Sequence, residues 1–263
     1  MLRSLALAAS TIALASCATG TPGFAPGAPY DAATARTIAA QYDARVIRDK
    51  FGVPHIYGKR NADVAYGLAY AHAEDDWKNI EEVIRSNRGT LSEIVGESGA
   101  KSDDFILALG NTAIVNRDYD TKASPQSKAV VEGYAAGLNL WCANHPETSW
   151  RRTMPITGRD IMAGFVNRPM SFYGFEPEVD SLLSGRANME MSTKSTREAF
   201  INTTDDIELG SNGLAVAPSR SADGHTRLAA NSHQPYEGRV AWYEARLKSE
   251  EGIDLIGGLF PGT

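Results

Sequence analysis

Three stretches of the chain hold residue types that could do chemistry. Leu209-Gly210-Ser211-Asn212 stands where a polar stretch meets a run of β-forming residues. A serine hydroxyl is a weak nucleophile that needs a nearby base, and Gly-Ser by itself is an ordinary turn dipeptide. Asn231-Ser232-His233 follows one strand later. Read by itself, its imidazole is a satisfied loop histidine. His72-Ala73-Glu74-Asp75-Asp76 invites a metal reading. On a helix, however, His72 and Asp76 share a face while Glu74 points elsewhere, so a capped or solvated helix face is the simpler reading.

The elements that must position these residues differ before and after Gly210. Short strands are expected near 42–49 and 53–57. Asn61 is the expected cap of a long helix through Leu68, Trp77, Ile80 and Ile84, of which the last three share one face, and Gly89 ends it. Leu91, Ile94 and Val95 predict one more short turn. Ser124-Pro125 starts a second long helix, carried by Val131, Tyr134, Leu138 and Trp141 until His145-Pro146. Weaker helices are expected over 160–165 and 178–183. Residues 186–209 are polar and poorly periodic, as in a loop or removable linker. Beyond Gly210, strands are expected over 214–217, 227–231, 240–247 and 253–259, separated by turn formers. Helices first and strands later define an α+β chain.

Composition limits the partners. The 263 residues carry a formal charge of −6 with no basic run, which excludes a nucleic-acid footprint. Met1-Leu2-Arg3 followed by a short apolar run reads as an export signal. Its end, Leu14-Ala15-Ser16-Cys17, is similar to a lipoprotein box; cleavage of an ordinary signal near Ala18 is the alternative. Cys17 and Cys142 are the two cysteines, so neither a disulfide framework nor a cysteine zinc site is available. Residues 17–40, rich in Gly, Pro and Ala at their start, are expected to be a flexible tether, with folded sequence beginning near Tyr42.

Several motifs in order carry a family resemblance. Gly52-Val53-Pro54-His55-Ile56-Tyr57 and the stretch from Tyr66 to Asp75 resemble the opening of the penicillin acylase family. Arg88-Gly89-Thr90-Leu91-Ser92-Glu93 and Tyr134-Ala135-Ala136-Gly137-Leu138-Asn139 look like its next signatures. Gly210-Ser211-Asn212, Leu228-Ala229-Ala230-Asn231-Ser232-His233 and Trp242-Tyr243-Glu244 look like the start of its catalytic chain.

The resemblance implies an N-terminal-nucleophile hydrolase, an α+β fold of αββα four-layer type, incomplete here. Its parts would be a signal (1–16), a tether (17–40), a small-chain region (41–185), a spacer (186–210) and the start of the large chain (211–263). It further implies autocleavage between Gly210 and Ser211, and hydrolysis of a linear acyl-amide through an acyl-Ser211 ester. The substrate would be a β-lactam side chain, an N-acyl-homoserine lactone or similar, with His233 tilting the choice toward aliphatic acyl groups. His233 would orient Ser211 and tune its amine. No cofactor is implied for catalysis; a structural calcium is, with Glu178 as a ligand, although calcium wants six to eight oxygens. The partner would be the chain's own cleaved large portion, and the place a periplasm, lipid-anchored through Cys17. Since the sequence stops within a family motif, the oxyanion groups are expected beyond Thr263. The strands after Ser211 are then expected to lack partners, and this segment to show little activity alone. The rivals are an unprocessed lipid-tethered binding protein and a metal-dependent amidase using His72 and Glu74.

Overall fold

The computed structural model describes residues 23–148, 152–172, 179 and 211–262. Strands β1 (Ala44–Arg48) and β2 (Pro54–Gly58) form an antiparallel hairpin with Val46 opposite Ile56. Its turn is made by Asp49, whose side chain accepts from the N–H groups of Phe51 at 2.8 Å and Val53 at 3.1 Å. Gly52 sits there at φ 87°, a left-handed conformation that suits glycine.

Two helices described before position 60 and after it frame this hairpin. Helix α1 (Ala32–Ala39) is capped by Asp31, which accepts from the Thr34 N–H at 2.7 Å. Its Ala35 and Ile38 are buried together with Phe24 and Tyr42. The expected tether over 17–40 is therefore corrected for its later part: packed structure begins by Phe24. The alanines of this stretch read as linker composition, yet Ala35 and Ala39 are buried on the packed face of α1. Helix α2 (Asn61–Arg88) starts one residue earlier than expected, with Arg60 as N-cap. The Arg60 N–H donates to Asp63 Oδ2 at 3.0 Å, so the carboxylate inside the first turn does the capping. The helix is interrupted at Asp76 (φ −150°, ψ 46°), and Gly89 ends it at φ 67°.

Three short helices follow: α3 (Ser92–Val95), α4 (Ala100–Leu109) and α5 (Asn111–Lys122). Buried Asp103 of α4 accepts from the Leu91 and Ser92 N–H groups at 2.6 and 2.9 Å, fastening α4 to the start of α3. Helix α6 (Pro125–Asn144) begins as its sequence predicts, with the Ser124 hydroxyl accepting from the Ser127 N–H at 3.0 Å. It lies hard against α2. A Cβ at Gly137 would stand 2.3 Å from the Tyr66 carbonyl oxygen, and one at Gly133 2.4 Å from that of Ala62. Trp77 and Trp141 stack across the same seam, centroids 5.0 Å apart. Buried Asn139 donates to the Ile156 carbonyl at 2.7 Å and accepts from its N–H at 3.0 Å, locking the approach to α7 (Gly158–Phe172).

The strands after the helices are β3 (Ser211–Val216), β4 (Arg227–Ser232), β5 (Tyr243–Ser249) and β6 (Asp254–Leu259). They were expected to lack partners, and for β5 this is corrected. It pairs in parallel with β2, Ile56 opposite Leu247, giving one sheet in the order β1-β2-β5-β6. Alternating buried residues on β5 (Ala245, Leu247) meet Ile56 and helix α2, and this core outweighs the entropy of a long connection. The chain is α+β: α6, then α2, then this sheet, with β3 and β4 forming a separate antiparallel ribbon.

Candidate active site

Ser211 is the first residue of β3 and is exposed. Its register partner across the ribbon is Ser232, and Asn212 faces Asn231. His233 directly follows Ser232, so it stands at the end of the ribbon where Ser211 begins. Its Nε2 lies 2.8 Å from the Asn212 Nδ2. Successive strand residues point to opposite faces, so His233 is held on the face of Asn212, not on that of the Ser211 side chain. Among the described residues, no side chain hydrogen-bonds the Ser211 hydroxyl. The ribbon brings Ser211, Asn212 and His233 together at one of its ends, and its Leu214 and Leu228 remain exposed.

Asn212 is the residue that the sequence reading overlooked. The available signal was its place beside Ser211 on a strand whose partner ends in Asn-Ser-His, but only the register shows which side chain His233 meets.

His72 is corrected from a solvated helix face to a buried residue. Its ring stacks on Tyr243 of β5 with centroids 3.9 Å apart, and its Nδ1 lies 3.4 Å from the Tyr134 hydroxyl. Burial drives its pKa down from 6.5 to about 3, so it is neutral. Glu74 and Asp75 clamp Arg48 of β1 at 3.0 and 2.8 Å, and Asp76 binds the Asn79 amide with both oxygens at 2.8 Å. Each carboxylate thus has its own task, and the metal-dependent reading through His72 and Glu74 fails on this geometry. Among the described residues, no group of three or more His, Cys, Asp or Glu could hold a metal. Glu178, Gly210 and Cys17 lie outside the described residues.

The other motifs prove to be joints. Arg88 pairs with Asp160 through two bonds at 2.7 and 2.9 Å and donates to the Thr153 and Pro155 carbonyls. Buried Arg85 meets Glu93 at 2.8 Å. A cavity of about 470 Å³ is lined by Arg88, Arg159 and Asp160 among others, none of them from the strands after Ser211.

The fold thus defines an α+β chain in which β1 and β2 from the helical region and β5 and β6 from beyond Ser211 complete one sheet. The penicillin amidase family model matches residues 43–263, and the chain belongs to that family. The acyl-homoserine lactone acylase PvdQ of Pseudomonas putida is 27% identical over 251 residues, covering 87% of this chain and 32% of that protein. The penicillin acylase 2 proenzyme of a Pseudomonas species is 24% identical over 261 residues, 83% of this chain and 34% of that one. Penicillin G acylase of Escherichia coli is 33% identical over 110 residues, 40% of this chain and 13% of that protein. Among solved structures, a thermostable penicillin G acylase from Alcaligenes faecalis matches with a TM-score of 0.44 and 23% identity, over 63% of this chain and 93% of that one. The chain spans about a third of the length of the first two curated relatives.

Proposed function

We propose that this chain is part of an acylase that cuts itself between Gly210 and Ser211 and then hydrolyses the linear amide of an acylated amine. The observation that carries the reading is the family match across 43–263, with Ser211 opening a strand directly after Gly210. That one relative is named a proenzyme agrees with maturation by cleavage.

The chemistry follows from one change of state. In the uncut chain the Ser211 nitrogen is an amide and cannot act as a base. Attack of the Ser211 hydroxyl on the Gly210 carbonyl breaks that amide into an ester, and water hydrolyses the ester. The freed α-amine has a pKa of about 7.7–8.0. It then takes the hydroxyl proton as Oγ attacks the substrate carbonyl. The amine product leaves, and water releases the acid from the Ser211 ester.

Substrates of the β-lactam side-chain or N-acyl-homoserine lactone kind are proposed from the names of the relatives. A structural calcium with Glu178 among its ligands, export to a periplasm and lipid attachment at Cys17 complete the proposal. Mass spectrometry of the whole protein should show a new N-terminus at Ser211, absent in Ser211→Ala. An uncut wild-type chain with full amide hydrolysis would sink the mechanism.

A further inference from the structure

We infer that Asn212 is a positioning residue: it sets the tautomer of His233 and so keeps the imidazole from acting as a base in the Ser211 reaction. This rests on the reading of Ser211 as nucleophile given above.

Asn212 Nδ2 lies 2.8 Å from His233 Nε2. An amide nitrogen only donates, so Nε2 accepts with its ring lone pair. In a neutral imidazole the remaining proton then sits on Nδ1. The two residues are 21 positions apart and meet through the β3–β4 register, which sets Asn212 opposite Asn231. An imidazole with Nε2 engaged and Nδ1 protonated has no lone pair left for a hydroxyl proton. That proton therefore passes from Ser211 Oγ to the Ser211 α-amine, which becomes the ammonium while Oγ bonds the substrate carbonyl carbon. No proton crosses His233.

Nitrogen-15 NMR of the histidine-labelled protein at mildly alkaline pH tests this, with His233→Gln identifying the resonance among the five histidines. Asn212 and His233 are both exposed, so substitutions there leave the core intact. The wild type should carry the His233 proton on Nδ1. Asn212→Ala should shift the tautomer ratio toward Nε2–H by about fivefold, the usual net worth of one neutral hydrogen bond. Asn212→Asp, which can only accept, should place the proton on Nε2. Wild-type His233 protonated on Nε2, or a ratio unmoved in Asn212→Ala, overturns the proposal. In the kcat pH profile, Asn212→Ala should add a second ionisation to the single one of the wild type; an unchanged profile overturns the exclusion of His233 as a base. The imidazole is read whether or not the chain is cut, so a failure of the nucleophile reading shows separately, as an uncut chain.

Discussion

His72 of α2 lies flat on Tyr243 of β5, ring centroids 3.9 Å apart and planes 8° from parallel. The Tyr243 hydroxyl donates to Asp75 Oδ2 at 2.6 Å, and Asp75 holds Arg48 of β1. Burial, and then Asp75, push the tyrosine hydroxyl well above its ordinary pKa, so it stays a donor. One stack thereby ties the part of the chain before Ser211 to the part after it.

That stack should make the fold sensitive to acid. His72 is neutral when folded, with a pKa of about 3, against 6.5 when unfolded. Below pH 6.5 the unfolded state binds the extra proton, so stability falls with pH until about 3. At pH 5 this one group costs about 2 kcal/mol. Urea midpoints of wild type and His72→Gln, compared at pH 7.5 and 5, should converge as pH falls; parallel curves would dismiss the linkage.

Gly137→Ala should destabilise the chain by about 1–3 kcal/mol through overpacking against the Tyr66 carbonyl. Helix propensity alone predicts the opposite sign, a gain of up to about 1 kcal/mol. The denaturation midpoint of this single variant therefore tests the close approach of α6 to α2.

Asn139→Leu keeps the volume but strands the Ile156 N–H and C=O, which Asn139 alone serves among the described side chains. The expected loss is about 1–3 kcal/mol for each orphaned group. Hydrogen exchange at Ile156 should rise by orders of magnitude; unchanged protection would show another partner.

Amide hydrolysis by the mature enzyme should rise with pH through a single ionisation centred near about 8 and level off by about 9, because the Ser211 amine must be unprotonated. A rate that is flat from pH 6 to 9 would assign the base elsewhere.

A protease site engineered between 186 and 210 should, once cut, leave the two portions together on native gel filtration and part them in urea. Besides the β2–β5 pairing, Asn61 N–H donates to Glu251 at 2.7 Å and Ser249 to Asn61 at 2.6 Å across the junction. Separation in native buffer would mean that this sheet is not what joins them.

Much of this was legible in the sequence where local signals suffice. Ser124-Pro125, Gly89 and the apolar faces of α2 and α6 mark their helices without tertiary help, and the four later strands fall near their expected spans. Helices α4 and α5 escaped because they bury few residues, Phe105, Ile106, Val115 and Tyr119 among them, too few for a period to emerge. The task of Asp103 and the burial of His72 depend on chain 12 and more than 100 residues away, which no window can show. For the candidate site, family resemblance singled out Ser211 and His233, whereas the part of Asn212 is a matter of strand register and needed coordinates.

The parallel joint of β2 with β5 has a consequence for synthesis. Asn61 and Glu251 meet across 190 positions, a stretch that takes about 10–40 s to translate. For that interval β2 has one bare edge, open to strand addition by any neighbouring chain. Slower translation or higher expression lengthens or crowds this window, so soluble yield should track synthesis conditions more closely than it tracks melting temperature. The chain is most vulnerable while it is being made.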